Sequence, residues 1–234
     1  ISKEIGYPVY NELHDLPKPA EAYGIAGWSK DGDRVVLYDR YDMWVIDLTG
    51  KKPIYSLTGG YGRTTNRQFR WLKDDYGDKI IDFENGFLMT SVNLENRDEG
   101  IYRFQANGKL KKLMEGPYSV TVNQKSVDQK YCIFTRQSYT EFRDLWWSDL
   151  AFTRPVKITD TNPQQKNYLW GSVKLVEWTN LEGKRNRGLL YLPDGYDSSK
   201  RYPVIVNFYE THTETLHDYI VPFWCSGMLN VVSY

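Results

Sequence analysis

The sequence is poor in the residues that make most metal and thiol chemistry. It has two cysteines, three histidines and four methionines in 234 residues. Cys132 and Cys225 could pair in an oxidising compartment, but two buried free thiols are the expectation, since isolated cysteines behave as small apolar residues. No Cys/His spacing resembles a zinc site. Excess charge is also missing: 30 basic and 30 acidic side chains leave a formal net charge of zero. That argues against a nucleic-acid partner, whose binding surface needs a basic excess, and no basic amphipathic stretch suggests membrane-surface binding. No apolar run approaches the roughly 18–20 residues of a membrane span. Residues 1–10 lack a signal-peptide pattern, and the chain opens on Ile1 without an initiator Met. That reads as an internal start or as the product of leader removal.

Aromatic residues are abundant instead. Eight Trp, 19 Tyr and nine Phe make up 15% of the chain. Such residues favour pleated, half-buried surfaces, so an all-β core is expected. Between residues 20 and 170 no segment keeps a helical period long enough to predict a helix. Turn clusters are frequent: Lys30-Asp31-Gly32-Asp33, Leu48-Thr49-Gly50-Lys51, Glu84-Asn85-Gly86 and Ala106-Asn107-Gly108-Lys109.

The strands repeat as a unit. The first copy runs Val35-Val36-Leu37-Tyr38, Asp42-Met43-Trp44-Val45-Ile46-Asp47-Leu48, then Pro53-Ile54-Tyr55-Ser56-Leu57-Thr58. The second runs Phe87-Leu88-Met89-Thr90, Gly100-Ile101-Tyr102-Arg103-Phe104, then Leu110-Lys111-Lys112-Leu113. The third runs Tyr131-Cys132-Ile133-Phe134-Thr135, Asp144-Leu145-Trp146-Trp147-Ser148-Asp149-Leu150, then Pro155-Val156-Lys157-Ile158-Thr159. Trp44, Tyr102 and Trp146 recur at roughly the 40–60 residues of a propeller blade. Trp28-Ser29-Lys30-Asp31-Gly32 adds a turn leading into the first copy. The repeated aromatics read as packing between blades, with a sugar- or peptide-stacking platform as the functional alternative. Closed propellers have about four to eight blades, against three clear copies and a partial one before Trp28. Further blades upstream are therefore expected, with partner copies as the alternative.

The character changes at Thr159-Asp160-Thr161-Asn162-Pro163-Gln164-Gln165. Val173–Trp178 alternates, Leu181-Glu182-Gly183-Lys184 supplies a turn, and Arg187–Pro193 reads as a second strand. After the polar loop Asp194–Lys200 comes a nearly continuous apolar run, Tyr202–Tyr209, which predicts a strand buried on both faces. The expected fold class is mainly β: residues 1–165 form a partial β-propeller of about three to four blades, and residues 166–234 begin an α/β-hydrolase domain.

The second part carries a specific resemblance. Glu177-Trp178, Gly183, Gly188-Leu189-Leu190-Tyr191-Leu192-Pro193, Tyr202-Pro203-Val204-Ile205-Val206 and Tyr209 resemble the propeller-to-hydrolase junction of the prolyl oligopeptidase family of serine peptidases. The dipeptidyl peptidase IV and acylaminoacyl-peptidase branches are the most similar. With the blade repeats, the resemblance spans nearly the whole chain. It implies acyl-enzyme hydrolysis of short peptides, with the propeller restricting entry. It implies no cofactor, leaves room for a homodimer, and favours a periplasmic or secreted location over a cytoplasmic one.

Acyl transfer of this kind needs a serine on a strained turn, a histidine base held by a carboxylate, and oxyanion donors. The G-x-S-x-G elbow is absent. Ser226, in Trp224-Cys225-Ser226-Gly227-Met228, lacks the preceding glycine. In α/β-hydrolases the triad histidine follows the nucleophile in the chain, so His14, His212 and His217 are not expected to be the base. His212 and His217 sit with Glu210, Glu214 and Asp218 in what reads as a solvated loop, a metal site being the alternative. The resemblance assigns one role: Tyr209 matches the tyrosine whose hydroxyl donates to the oxyanion. The family's small Gly-rich turn is replaced after it by Glu210-Thr211-His212-Thr213. Acidic residues of a propeller segment hold the substrate's N-terminus in dipeptidyl peptidases, but Glu95, Glu99 and Glu141 do not match that motif. Glu95-Asn96-Arg97-Asp98-Glu99 reads as a solvated insertion. These residues alone are expected to be inactive, as a fragment of the parent enzyme. The alternatives are a propeller scaffold with a vestigial hydrolase segment, or an esterase of non-peptide substrates.

Overall fold

The computed structural model describes residues 2–73, 79–208, 211–223 and 229–233. The chain divides into two compact units, Ile1–Gly116 with Ala151–Thr153, and Pro117–Leu150 with Arg154–Tyr234.

In the first unit, the strands β1 (Ile25–Ser29), β2 (Arg34–Tyr38), β3 (Met43–Asp47) and β4 (Tyr55–Ser56) form an antiparallel meander. After β5 (Arg67–Trp71), the short β6 (Ile80–Ile81) returns to pair in parallel with β1. The strands β7 (Phe87–Asn93), β8 (Glu99–Phe104) and β9 (Leu110–Gly116) complete a second sheet in the order β5-β7-β8-β9. In the second unit, β10 (Ser119–Lys125), β11 (Tyr131–Gln137), β12 (Asp144–Asp149) and β13 (Val156–Lys157) form a third meander. The fold is thus mainly β and built of blade-like antiparallel meanders, as the repeats predict. Each repeat copy is the outer three strands of a blade. Each blade adds, ahead of the repeat copy, a strand that the repeat missed: β1, β5 and β10. Arg67-Gln68-Phe69-Arg70-Trp71 and Ser119-Val120-Thr121-Val122-Asn123-Gln124-Lys125 carry too many polar residues to stand out as core strands.

The repeat also explains how the blades close. Asp42, at the start of the third strand, accepts hydrogen bonds from the Thr58 hydroxyl, the Gly62 N–H at 2.8 Å and the Arg63 N–H at 3.0 Å. Asp144, at the same position in the third blade, accepts from Thr159 Oγ1 at 2.7 Å, the Thr161 N–H at 2.9 Å and Lys157 Nζ at 2.7 Å. Each carboxylate is itself buried, and it satisfies backbone and hydroxyl donors where the outermost strand ends, as a buried polar group requires. The second blade has Gly100 there, and a Cβ on it would lie 2.6 Å from the Met114 carbonyl oxygen. Its acid sits on the opposite strand instead. Glu115 takes both guanidinium arms of Arg67, at 2.8 and 3.0 Å, and accepts the Tyr102 hydroxyl at 2.8 Å.

The core of the first unit lies between its two sheets. Val36, Tyr38, Met43 and Val45 of one meet Phe69, Phe87, Met89, Tyr102 and Phe104 of the other. Phe69 and Tyr102 cross edge to face at 5.0 Å, and Phe87 stacks on Phe104 at 5.1 Å. These are the offset geometries that aromatic quadrupoles favour.

In the second unit the third meander is followed by a hairpin, β14 (Ser172–Thr179) and β15 (Arg185–Leu192). It pairs in unbroken register from Ser172↔Leu192 to Thr179↔Arg185. The strand expected at Tyr202–Tyr209 is not formed over Tyr202–Phe208, and Tyr209 lies outside the described residues. Among the described residues no strand follows β15, and Val204, Val206 and Phe208 are 74%, 75% and 84% exposed. A central strand needs hydrogen-bonding neighbours on both edges, and no described strand pairs with this run.

Candidate functional site

Tyr209, the residue assigned an oxyanion role, lies outside the described residues, as do Glu210, Cys225 and Ser226. The surroundings of its loop are described. Residues 211–219 end the apolar run with a turn of 3-10 helix, Thr213–Thr215, and Thr213, Leu216 and Tyr219 are buried. Tyr219 is anchored by two aromatic contacts and a hydrogen bond. Its ring stacks on Trp170 at 5.0 Å and meets Phe142 edge-on at 4.8 Å. Asn162 Nδ2 donates to its hydroxyl at 2.9 Å. Trp170 in turn donates its indole N–H to the Tyr139 carbonyl at 2.8 Å, and Tyr139 packs against Tyr191 of β15 at 5.4 Å. The hydroxyl of Tyr191 is raised in pKa, chiefly by burial, with a hydrogen bond to Thr215 opposing that. Gln137 Nε2 donates to Asp218 at 3.1 Å. The segment after the apolar run is thus held by the turn of the third blade and by the hairpin.

These elements bound an open cleft of about 290 Å³. Tyr139, Val173, Leu175 and Leu216 supply its apolar wall, and Ser138, Thr140, Lys174 and His217 its polar rim. Hydroxyl and ammonium donors of this kind can receive the carbonyls or carboxylate of an extended ligand. Ser138 Oγ accepts the Glu141 N–H at 3.1 Å, a turn contact rather than a catalytic one. The cleft was not legible in the sequence, because its walls come from four segments between Pro117 and His217. The clustered aromatics Tyr139, Trp170, Tyr191 and Tyr219 were the available signal.

The other sequence candidates are placed as follows. His212 and Glu214 are exposed, His217 and Asp218 are half-buried, and among the described residues no group of three His, Cys, Asp or Glu side chains could hold a metal. His14 contacts the Lys18 carbonyl at 2.6 Å in the first unit. Glu141 is engaged by Arg136 at 2.8 and 3.2 Å, and Glu95 accepts from Asn66 at 2.6 Å. Glu99 lies within β8. Cys132 is a free, buried thiol, pushed up to about 11 by burial and then by Asp149. Tyr102 is only 2% exposed, so it packs in the core and offers no platform. Trp44 and Trp146 are half-buried. No helix among the described residues is long and apolar enough to cross a membrane, which says nothing of a β-barrel.

No protein-family description and no curated protein matches the chain. Solved structures do. A candidate dipeptidyl aminopeptidase IV of Bacteroides ovatus matches with a TM-score of 0.55 at 14% identity, over 76% of this chain and 27% of that one. The ligand-free AtxE2 isopeptidase matches at 14% identity over 86% of this chain and 35% of its own, with a TM-score of 0.42. A candidate TolB of Agrobacterium tumefaciens matches at 13% identity over 76% of this chain and 85% of its own, with a TM-score of 0.27. The first likeness establishes a shared fold and nothing finer. The other two are too distant in geometry to carry an argument. The chain spans about a quarter to a third of the length of the two peptidase structures.

Proposed function

We propose that these residues belong to a serine peptidase of the prolyl oligopeptidase type, contributing propeller blades from residues 1–165 and the opening of the hydrolase domain from residues 166–234. The observation that supports this reading is the third blade followed, after a 3-10 turn at Pro163–Asn167, by a hairpin in full register, β14–β15, ending at Leu192. The motif residues Trp178, Gly188 and Leu189–Pro193 lie in or beside that hairpin. The substrates are short peptides, hydrolysed through an acyl-enzyme on a serine beyond residue 234. A periplasmic or secreted enzyme is in keeping with that class.

In this reading Tyr209 donates its hydroxyl to the tetrahedral oxyanion, where one donor is worth a few kcal/mol in the transition state. The 213–219 segment holds the chain that follows Tyr209, through Tyr219 and Leu216. Reading the gene beyond Tyr234 is the first test: a G-x-S-x-G elbow within roughly 100 residues, then Asp and His, is expected. The second is chemical. The complete product should react with a fluorophosphonate and cleave chromogenic dipeptides, and the 234-residue chain should do neither. Tyr209→Phe in the complete product should lower kcat about 100-fold with little change in KM. A stop codon at residue 235, or serine-type turnover by the 234 residues alone, would overturn the reading.

A further inference from the structure

The hairpin β14–β15 is a two-stranded sheet, so each of its strands has one open edge. In an antiparallel pair every second residue turns both its N–H and its C=O away from the partner strand. Among the described residues no strand pairs with the outer edge of β14, and no turn or loop backbone bonds to Ser172–Thr179. Natural sheets blunt such edges with short strands, proline or bulges. β14 has eight residues, neither proline nor glycine among them, and no break in register. It is a regular ladder with one side unused.

The 290 Å³ cleft lies along that unused side, wholly within the second unit. Ser172, Val173, Lys174 and Leu175 all line it. Neighbouring side chains on a strand point to opposite faces, so four consecutive residues border one space only along the strand's edge. Their partners across the hairpin, Leu192 to Leu189, do not line it, which puts the space on the side away from β15. Ser138-Tyr139-Thr140 and Leu216 form the facing wall. Four strand residues span about 13 Å, and the volume is at the low end of small-ligand sites, roughly 300–1,000 Å³. The space therefore suits a few residues of extended chain and excludes a second hairpin. Its charge is one-sided: Lys174 and His217 border it, and no described Asp or Glu does. Glu177 is taken by Arg185 and Arg187, whereas Lys174 is exposed and makes no ion pair among the described residues.

We propose that the outer edge of β14 binds the C-terminal end of a short extended peptide, added as a third strand of the hairpin sheet. Main-chain bonds to Ser172–Leu175 supply the pairing, as in other cases of strand addition to an open edge. An apolar side chain of the peptide rests on Tyr139 and Leu216, and the terminal carboxylate takes the Lys174 ammonium. Such binding needs no nucleophile, so it stands or falls apart from the peptidase reading.

The test is an NMR titration of the 234-residue chain with the peptide Ac-Thr-Val-Leu-OH. Amide signals of Ser172–Leu175 and Ser138–Thr140 should shift, and that of Val127, fully exposed at the β10–β11 turn, should not. The amide Ac-Thr-Val-Leu-NH2 should bind about tenfold more weakly, because a charge-assisted hydrogen bond is lost. Lys174→Met keeps the alkyl stem; it should weaken the acid about tenfold and leave the amide unchanged. Two further peptides, N-methylated at Val or at Leu, read the strand pairing itself. Successive N–H groups of an extended chain point to opposite sides, so one variant should lose binding and the other keep it. Absence of shifts in β14 at millimolar peptide would overturn the proposal. So would equal affinity of acid and amide, or equal effects of the two N-methyl groups. Shifts in β14 that appear on concentrating the chain alone, alongside a dimer in sedimentation, would also overturn it by making a second copy the occupant.

Discussion

Asp144 shows how a buried charge can be held in a propeller blade. Burial alone disfavours its ionised form, but hydrogen bonds from Lys157, Thr159 and Thr161 outweigh that and lower its pKa to about 2. A carboxyl depressed in the folded state stabilises it above the unfolded pKa, near 3.8, and that stabilisation disappears as pH falls towards 2. Asp144→Asn should cost roughly 1–3 kcal/mol at pH 7, since it weakens charge-assisted bonds to groups that stay buried. Urea unfolding at pH 7 and at pH 2.5 checks this: the gap between wild type and variant should narrow in acid. Cys132 illustrates the opposite shift. With its thiol pushed up to about 11, almost no thiolate exists at pH 8. Iodoacetamide at pH 8 should leave Cys132 unmodified in the folded chain and alkylate it after unfolding in urea, as read by peptide mass spectrometry.

At the scale of the element, the second blade departs from the repeat and shows the departure's cost. Gly100 removes the acid that clamps the first and third blades, and Glu115 replaces it from the next strand. Arg67 holds the Glu115 carboxyl below its usual range, chiefly through their hydrogen bond, and Tyr102 adds another. Arg67 and Glu115 are 17% and 9% exposed at the side chain, so removing Arg67 leaves a largely buried carboxylate with the Tyr102 hydroxyl and the more distant Lys112. Arg67→Ala should destabilise by roughly 2–4 kcal/mol, measured as a shift in the urea midpoint at constant m. Restoring the acid at Gly100 should fail, because a Cβ there meets the Met114 carbonyl oxygen at 2.6 Å. Gly100→Asp should therefore destabilise, although it recreates the first blade's sequence pattern.

At the scale of the molecule, the exposed run Val204–Phe208 is a β-prone apolar segment without a paired strand among the described residues. Such a run invites intermolecular pairing. Val206→Lys should reduce concentration-dependent light scattering by the 234-residue chain while moving its Tm little, since the side chain is already 75% exposed. Much of the blade architecture was legible beforehand. Trp44, Tyr102 and Trp146 marked the third strand of each blade, and the turn glycines marked the strand ends. Gly86 shows why such a glycine is required: its φ is +75°, and a Cβ would lie 2.1 Å from the Phe104 carbonyl oxygen. The strands β5 and β10 were missed because their polar residues hide the alternation. The cleft near residues 211–219 was missed because it is assembled from segments distant in sequence.

By itself, the sequence determined the β class, the repeat and the turns, because each follows from local chemistry: strand propensity and glycine at positive φ. It also determined which side chains share a face of an unbroken strand, since the extended backbone points successive side chains to opposite faces. Tertiary structure alone decided which face is covered. Ile133 and Trp147 sit in the same register as Val36 and Val45, yet one pair is open and the other sealed. The apolar sequence at Tyr202–Phe208 likewise has the composition of a buried strand without the neighbours that make one. Burial is a property of what packs against a surface, and no alternation pattern encodes the arrival of the partner.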